Sequence, residues 1–198
     1  MSNRVASISS RVFLLAASVV AMAGCDNRVA PLPAPHAAVV GLLDPSDNGR
    51  QRHDLARNRV WTLNSQGVFL YQVGTGKLVE VSLPSWQWVD APYACPPDLA
   101  LGPGGEALVT SNVVPVLWRI DPRTLAVSMH ELALDADNDK DVGFSGLVYS
   151  AEHSSFFAVS EVHGSLWQID PSLRKGRKVA RTELKRGACG IAVPRGTE

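Results

Sequence analysis

Two stretches of the chain are nearly the same: Leu117-Trp-Arg-Ile-Asp-Pro122 and Leu166-Trp-Gln-Ile-Asp-Pro171, 49 residues apart. A weaker copy, Leu70-Tyr-Gln-Val-Gly74, lies about 47 residues before the first. A repeat of this period constrains the fold more than any other feature. Each copy has to be one supersecondary unit that buries its apolar surface against its neighbours. The copies share a grammar. A short apolar strand comes first (Leu99-Ala-Leu101; Gly146-Leu-Val-Tyr149), then a tight turn (Gly102-Pro-Gly-Gly105; Ala151-Glu-His-Ser154). A second strand (Ala107-Leu-Val-Thr110; Phe156-Phe-Ala-Val159) leads into the Leu-Trp-x-Ile-Asp-Pro strand. A fourth (Leu125-Ala-Val-Ser-Met129; Lys178-Val-Ala-Arg-Thr182) closes the unit. The Asp-Pro pair marks a turn, because proline presets φ and the aspartate bonds back to the backbone.

Four short strands with Gly, Pro and Asp at their joins describe one blade of a β-propeller. The pattern resembles the degenerate blades of the NHL, gluconolactonase-like and YVTN-type propellers over roughly residues 38–196. The expected fold is all-β and propeller-like, with three full four-stranded blades near 50–84, 95–132 and 144–184. Partial terminal strands are expected at Ala38-Val-Val-Gly-Leu42 and Cys189-Gly-Ile-Ala-Val193. Closed propellers typically have four to eight blades. The alternatives are a half propeller completed by a second chain, an incomplete gene product, or a small open or irregularly closed form. Bare strand edges are a liability, which points to self-association or a protein partner.

The first 24 residues read as an address. Arg4 and Arg11 precede the apolar run Val12-Phe-Leu-Leu-Ala-Ala-Ser-Val-Val-Ala21, too short to cross a bilayer. Met22-Ala-Gly-Cys25 closely resembles the bacterial lipobox, with Met22 in place of the usual leucine. The resemblance implies cleavage before Cys25 and lipidation of it. The other reading is an ordinary signal peptide with a chance cysteine. Residues 25–37 hold a proline-rich tether, Asn27 to Pro35, and 38–198 the folded domain. The implied place is the bacterial cell envelope, anchored on the periplasmic side of the inner or outer membrane. Asp26 resembles an inner-membrane retention signal.

The 198 residues carry 19 basic and 19 acidic side chains, without the basic excess that nucleic-acid binding needs. Propeller topology sorts the remaining candidates. The start of strand one, the turn between strands two and three, and the link between blades share one end of the domain. His153 and His163 therefore belong at opposite ends. The shared end collects Asp98, Asn112, Glu161, His163, the link residues Trp86, Trp88 and Tyr93, and the acidic run Asp135–Asp141. Such oxygens around a funnel suit a hard cation such as Ca²⁺. The gluconolactonase-like propellers hold a divalent metal near their axis, but their ligand set does not map onto this chain. The alternative is ordinary polar turn residues. Asp135-Ala-Asp-Asn-Asp-Lys-Asp141 resembles the front of an EF-hand loop, but Lys140 replaces the glycine and Gly146 the bidentate glutamate. A solvated loop between blades is the other reading.

Cys95 and Cys189 each precede a first strand, so an exported chain can bridge them; separate thiols are the alternative. Trp61, Trp118 and Trp167 sit in strands and belong to the core. Trp118 and Trp167 should be equivalent, each facing the next blade. Trp86 and Trp88 lie in a proline-flanked link, either for contact with a partner or for packing over a blade edge. No nucleophile elbow, phosphate loop or dinucleotide fingerprint is present. The leading functional expectation is a membrane-anchored binding propeller. The alternative is a metal-dependent, gluconolactonase-like hydrolase or lyase acting at the funnel.

Overall fold

The computed structural model describes residues 49–90, 95–135, 143–183 and 189–191. All fall in the compact unit Pro33–Glu198. The lipobox, the tether, the strand expected at 38–42 and Tyr93 lie outside the described residues.

Three antiparallel sheets follow one another along the chain. Blade 1 is β1 (Arg50–Asp54), β2 (Arg59–Asn64), β3 (Gly67–Gln72) and β4 (Lys77–Val81). Blade 2 is β5 (Leu99–Leu101), β6 (Ala107–Thr110), β7 (Val116–Ile120) and β8 (Val127–Glu131). After the two-residue β9 (Ala133–Leu134), blade 3 is β10 (Gly146–Ser150), β11 (Ser155–Ser160), β12 (Ser165–Ile169) and β13 (Lys175–Glu183). Within each blade the four strands pair in sequence order. The first strands are the inner edges: β5 lies against both β1 and β10. This is a propeller-type, all-β fold. Among the described residues no helix is long and apolar enough to cross a membrane.

β9 has no counterpart in the sequence reading. It pairs in parallel with the outer edge of blade 3, Ala133 opposite Lys175 and Leu134 opposite Gly176. The chain leaving blade 2 thus clasps the outside of blade 3 before entering its inner strand. Cys189–Ile191 forms no strand, but it packs on β10. A Cβ on Gly146 would meet Gly190 Cα at 2.8 Å, so glycine is required there.

Strand alternation sorts the apolar side chains into two seams. Trp61, Leu63 and Leu70 of blade 1 meet Val109, Trp118 and Ile120 of blade 2. Leu108 and Leu117 of blade 2 meet Phe156, Trp167 and Ile169 of blade 3. Trp118 and Trp167 are equivalent, 3% and 0% exposed. Each faces the preceding blade, not the following one as the sequence suggested. The opposite side of the repeat strand is apolar too where it matters, since Leu117 is buried against blade 3. Each indole N–H has an acceptor: Pro84 O at 2.8 Å for Trp118 and Ser165 Oγ at 3.0 Å for Trp167.

The Asp-Pro turns close as their composition dictates. Asp121 Oδ1 accepts from the Arg123 and Thr124 N–H groups at 2.9 and 2.8 Å. Asp170 accepts from Ser172 N at 2.9 Å and Lys175 N at 2.7 Å. Gly102-Pro-Gly-Gly105 is the turn between β5 and β6. Gly105 has φ +82, and a Cβ there would strike Arg57 Nη1. Arg57 Nη2 donates to Gly104 O at 2.6 Å, which pins this turn to blade 1.

Candidate functional site

The site is built at the end of the domain where first strands begin. Asp98 immediately precedes β5, and its N–H donates to Thr110 Oγ1 at 2.8 Å. The residue is 2% exposed. Oδ1 accepts from Leu99 N at 2.8 Å and Arg52 Nη2 at 3.0 Å, with Arg50 Nε at 3.5 Å. Oδ2 accepts from Leu147 N at 2.8 Å. One carboxylate therefore joins β1, β5 and β10. Burial pushes its carboxyl above the usual range, and Arg52 with the two backbone N–H groups pulls back only in part. Both oxygens expected to face a cation are engaged by cationic and N–H donors.

Arg50 and Arg52 were not among the sequence candidates. They alternate on β1, so both turn to the same side, and the one signal in the sequence was that spacing. Arg50 Nη2 also donates to Cys189 O at 3.3 Å.

Cys95 stands three residues before Asp98 and is joined to Cys189 by a disulfide, Cα to Cα 5.0 Å. The Asn112 amide N–H₂ donates to Val89 O at 2.7 Å and Cys95 O at 3.1 Å. Asn112 Oδ1 is buried and has no hydrogen-bond partner. Glu161 is buried, and a carboxylate oxygen of it and the sulfurs of Cys95 and Cys189 all lie within 4.8 Å of one another. The structure thus gathers Cys95, Asn112, Glu161 and Cys189 beside Asp98. His163 stays apart, exposed in the turn between β11 and β12. His153 is at the other end of β11, its Nδ1 3.0 Å from Ser150 Oγ.

Trp86 and Trp88 are half-buried over the seam between blades 1 and 2. Trp86 Nε1 donates to Thr110 O at 3.1 Å. The two rings meet edge to face, centroids 6.3 Å apart. Trp88 Nε1 bonds the Asp90 carboxylate. Of the acidic run, Asp135 accepts from Lys178 N at 3.0 Å, and 136–141 lie outside the described residues. Beyond these, the strand two–three turns of blades 2 and 3 expose one valine each, Val114 at 45% and Val162 at 42%.

No protein-family model and no curated protein sequence matches the chain. Solved structures do. The extracellular domain of a one-component system from B. thetaiotaomicron matches with TM-score 0.48 and 15% identity, over 70% of this chain and 17% of that one. Virginiamycin B lyase from Staphylococcus aureus matches with TM-score 0.45 and 15% identity, over 61% and 37%. The calcium-binding protein regucalcin from Agrobacterium tumefaciens matches with TM-score 0.42 and 17% identity, over 69% and 46%. The chain spans less than half the length of each.

Proposed function

We propose that this chain is a lipid-anchored, extracytoplasmic propeller module that works by binding a protein partner at the end carrying the inter-blade links. The observation that supports it is the pair of exposed valines, Val114 and Val162, on corresponding turns of adjacent blades. They share that end with the half-buried Trp86–Trp88 pair. Apolar side chains projecting beside anchored aromatics are what a contact surface needs. The Met22-Ala-Gly-Cys25 motif supports the anchor, and the Cys95–Cys189 bridge suits an oxidising compartment. The engagement of Asp98 with Arg50, Arg52 and Leu147 N favours binding over metal-dependent hydrolysis there.

Two measurements test this reading. Cys25→Ser should abolish lipid labelling and release the chain from the membrane fraction; labelling that persists removes the anchor. A photo-crosslinking residue placed at 114 or 162 in the native cell should capture one discrete species. The same residue at Met129, which is 57% exposed on β8, should not. Identical patterns from all three positions would refute the assigned face.

A further inference from the structure

The cluster of Cys95, Cys189 and Glu161 holds more than a structural staple. We propose that these three residues form a redox-gated site for a soft or borderline dication of the zinc class. The site is closed while the sulfurs are bonded to each other and opens once they are reduced.

The ligand atoms are already assembled, since both sulfurs and a Glu161 oxygen lie within 4.8 Å of one another. A tetrahedral zinc with bonds of ~2.3 Å to sulfur and ~2.0 Å to oxygen needs its ligand atoms roughly 3.5–3.8 Å apart. The adjustment is therefore small. Cys95 is buried, and Asn112 holds its carbonyl. Cys189 is exposed on a segment outside the sheets whereas Cys95 is buried, so the adjustment falls on Cys189 once the covalent bond is gone. Arg50 holds it near by its backbone carbonyl.

Charge supplies the selection. Two thiolates beside a buried carboxylate would place three negative charges together in a poorly hydrated spot. A bound dication offsets that charge. Thiolate ligands favour zinc-class ions over calcium or magnesium. A dithiol donor gives two electrons and two protons to the Cys95–Cys189 bond and leaves as its own disulfide. The cation then displaces the two thiol protons to solvent.

The test uses the chain with Cys25→Ser, so that Cys95 and Cys189 are its two thiols, reduced by a phosphine and titrated with Cd²⁺, followed by thiolate-to-cadmium absorbance and by proton release. The expected result is one cation and two protons per chain. Glu161→Gln should weaken binding roughly tenfold or more, and the oxidised chain should take up none. If the reduced chain loses its near-ultraviolet dichroism, stoichiometric cadmium should restore it. Absence of saturable binding, failure to restore the fold, equal affinity in Glu161→Gln, or equal uptake by the oxidised chain would each overturn the proposal. Cys95→Ser/Cys189→Ser, folded or not, should show no thiolate absorbance.

Discussion

Replacing Asp98 with alanine is expected to loosen all three blades at once. The carboxylate accepts from Leu99 N and Leu147 N, on residues 0% and 1% exposed, where water cannot replace it. A buried donor left without an acceptor costs about 1–3 kcal/mol. The arginines lose less. The Arg50 and Arg52 side chains are 23% and 38% exposed and rehydrate, so each contributes under ~1 kcal/mol. Removal of a buried charge gives some of this back, which is what the raised carboxyl signals. The net loss should be about 2–4 kcal/mol. For a domain of this size that lowers the melting temperature by roughly 5–15 °C. Circular-dichroism melts and urea titrations of the mature chain at pH 7 measure it, and a loss under ~1 kcal/mol would refute the three-blade tie. Asp98→Asn keeps the size and one acceptor but turns an amide donor toward N–H groups, so it should fall between the two.

The same carboxylate has a pH signature. Its folded value lies above the ordinary 3.8 of an aspartate, so the native state holds its proton more tightly than the unfolded chain. Its contribution to stability therefore falls as pH rises through the window between 3.8 and the folded value. On acidification into that window, the wild type should gain on Asp98→Asn. A gap that narrows instead would mean that the arginines outweigh burial.

The remaining predictions concern the seams, the turns and the bridge. Trp167→Ala should cost roughly 3–5 kcal/mol, read in a urea titration, because the ring fills the seam between blades 2 and 3. An unchanged midpoint would remove the equivalence of the repeat tryptophans. In Asp170, burial raises the carboxyl, but hydrogen bonds from Ser172 and Lys175 outweigh it and leave it below 3.8. Its stabilising effect is thus present above 3.8 and lost as pH falls through the lowered value. Asp170→Ala should melt earlier than wild type at pH 7, with the gap closing in acid. Alkylation of the unreduced mature chain should leave Cys95 and Cys189 unlabelled. Reduction should cost about 4–5 kcal/mol in the chain-entropy account for a loop of this length.

What the sequence disclosed follows from how far each interaction reaches. The blades were legible because alternation and turn chemistry are local. The strands expected at Leu99–Leu101 and Ala107–Thr110 are β5 and β6. The fourth strand of blade 2 begins at Val127, two residues later than its apolar run suggested. Leu125 N bonds back to Asp121 O at 3.1 Å, and Leu125 takes φ 59, so the turn extends through it. β9 was invisible because two residues in parallel pairing have no period to detect. Asp98 stood out by its place just before a first strand, but its chemistry was not readable. Arg52 is 46 positions away, and only the adjacency of β1 and β5 makes the pair. The facing of Trp118 toward the preceding blade was equally hidden, since strand alternation separates two sides without saying which neighbour each one meets.

The residues that look most like a ligand set at this end are occupied with closing the backbone. Chain links crossing between blades carry peptide groups that no sheet satisfies, and burial makes each one costly. Thr110 takes the Asp98 N–H, Asn112 takes the Val89 and Cys95 carbonyls, and Trp86 takes the Thr110 carbonyl. Thr110, Asn112 and Trp86 are thus accounted for by construction before any ligand is invoked. Recognition then falls to side chains that project past this layer, of which Val114, Val162 and His163 are exposed. The two layers should separate in experiment. Val114→Glu with Val162→Glu should abolish partner crosslinking from position 163 and leave the melting temperature within a degree or two, as surface changes usually do. Asn112→Ala should lower the melting temperature and, while the chain stays folded, leave the crosslink in place. If the valine pair instead destabilised the fold and spared the crosslink, construction and recognition would have been assigned to the wrong residues.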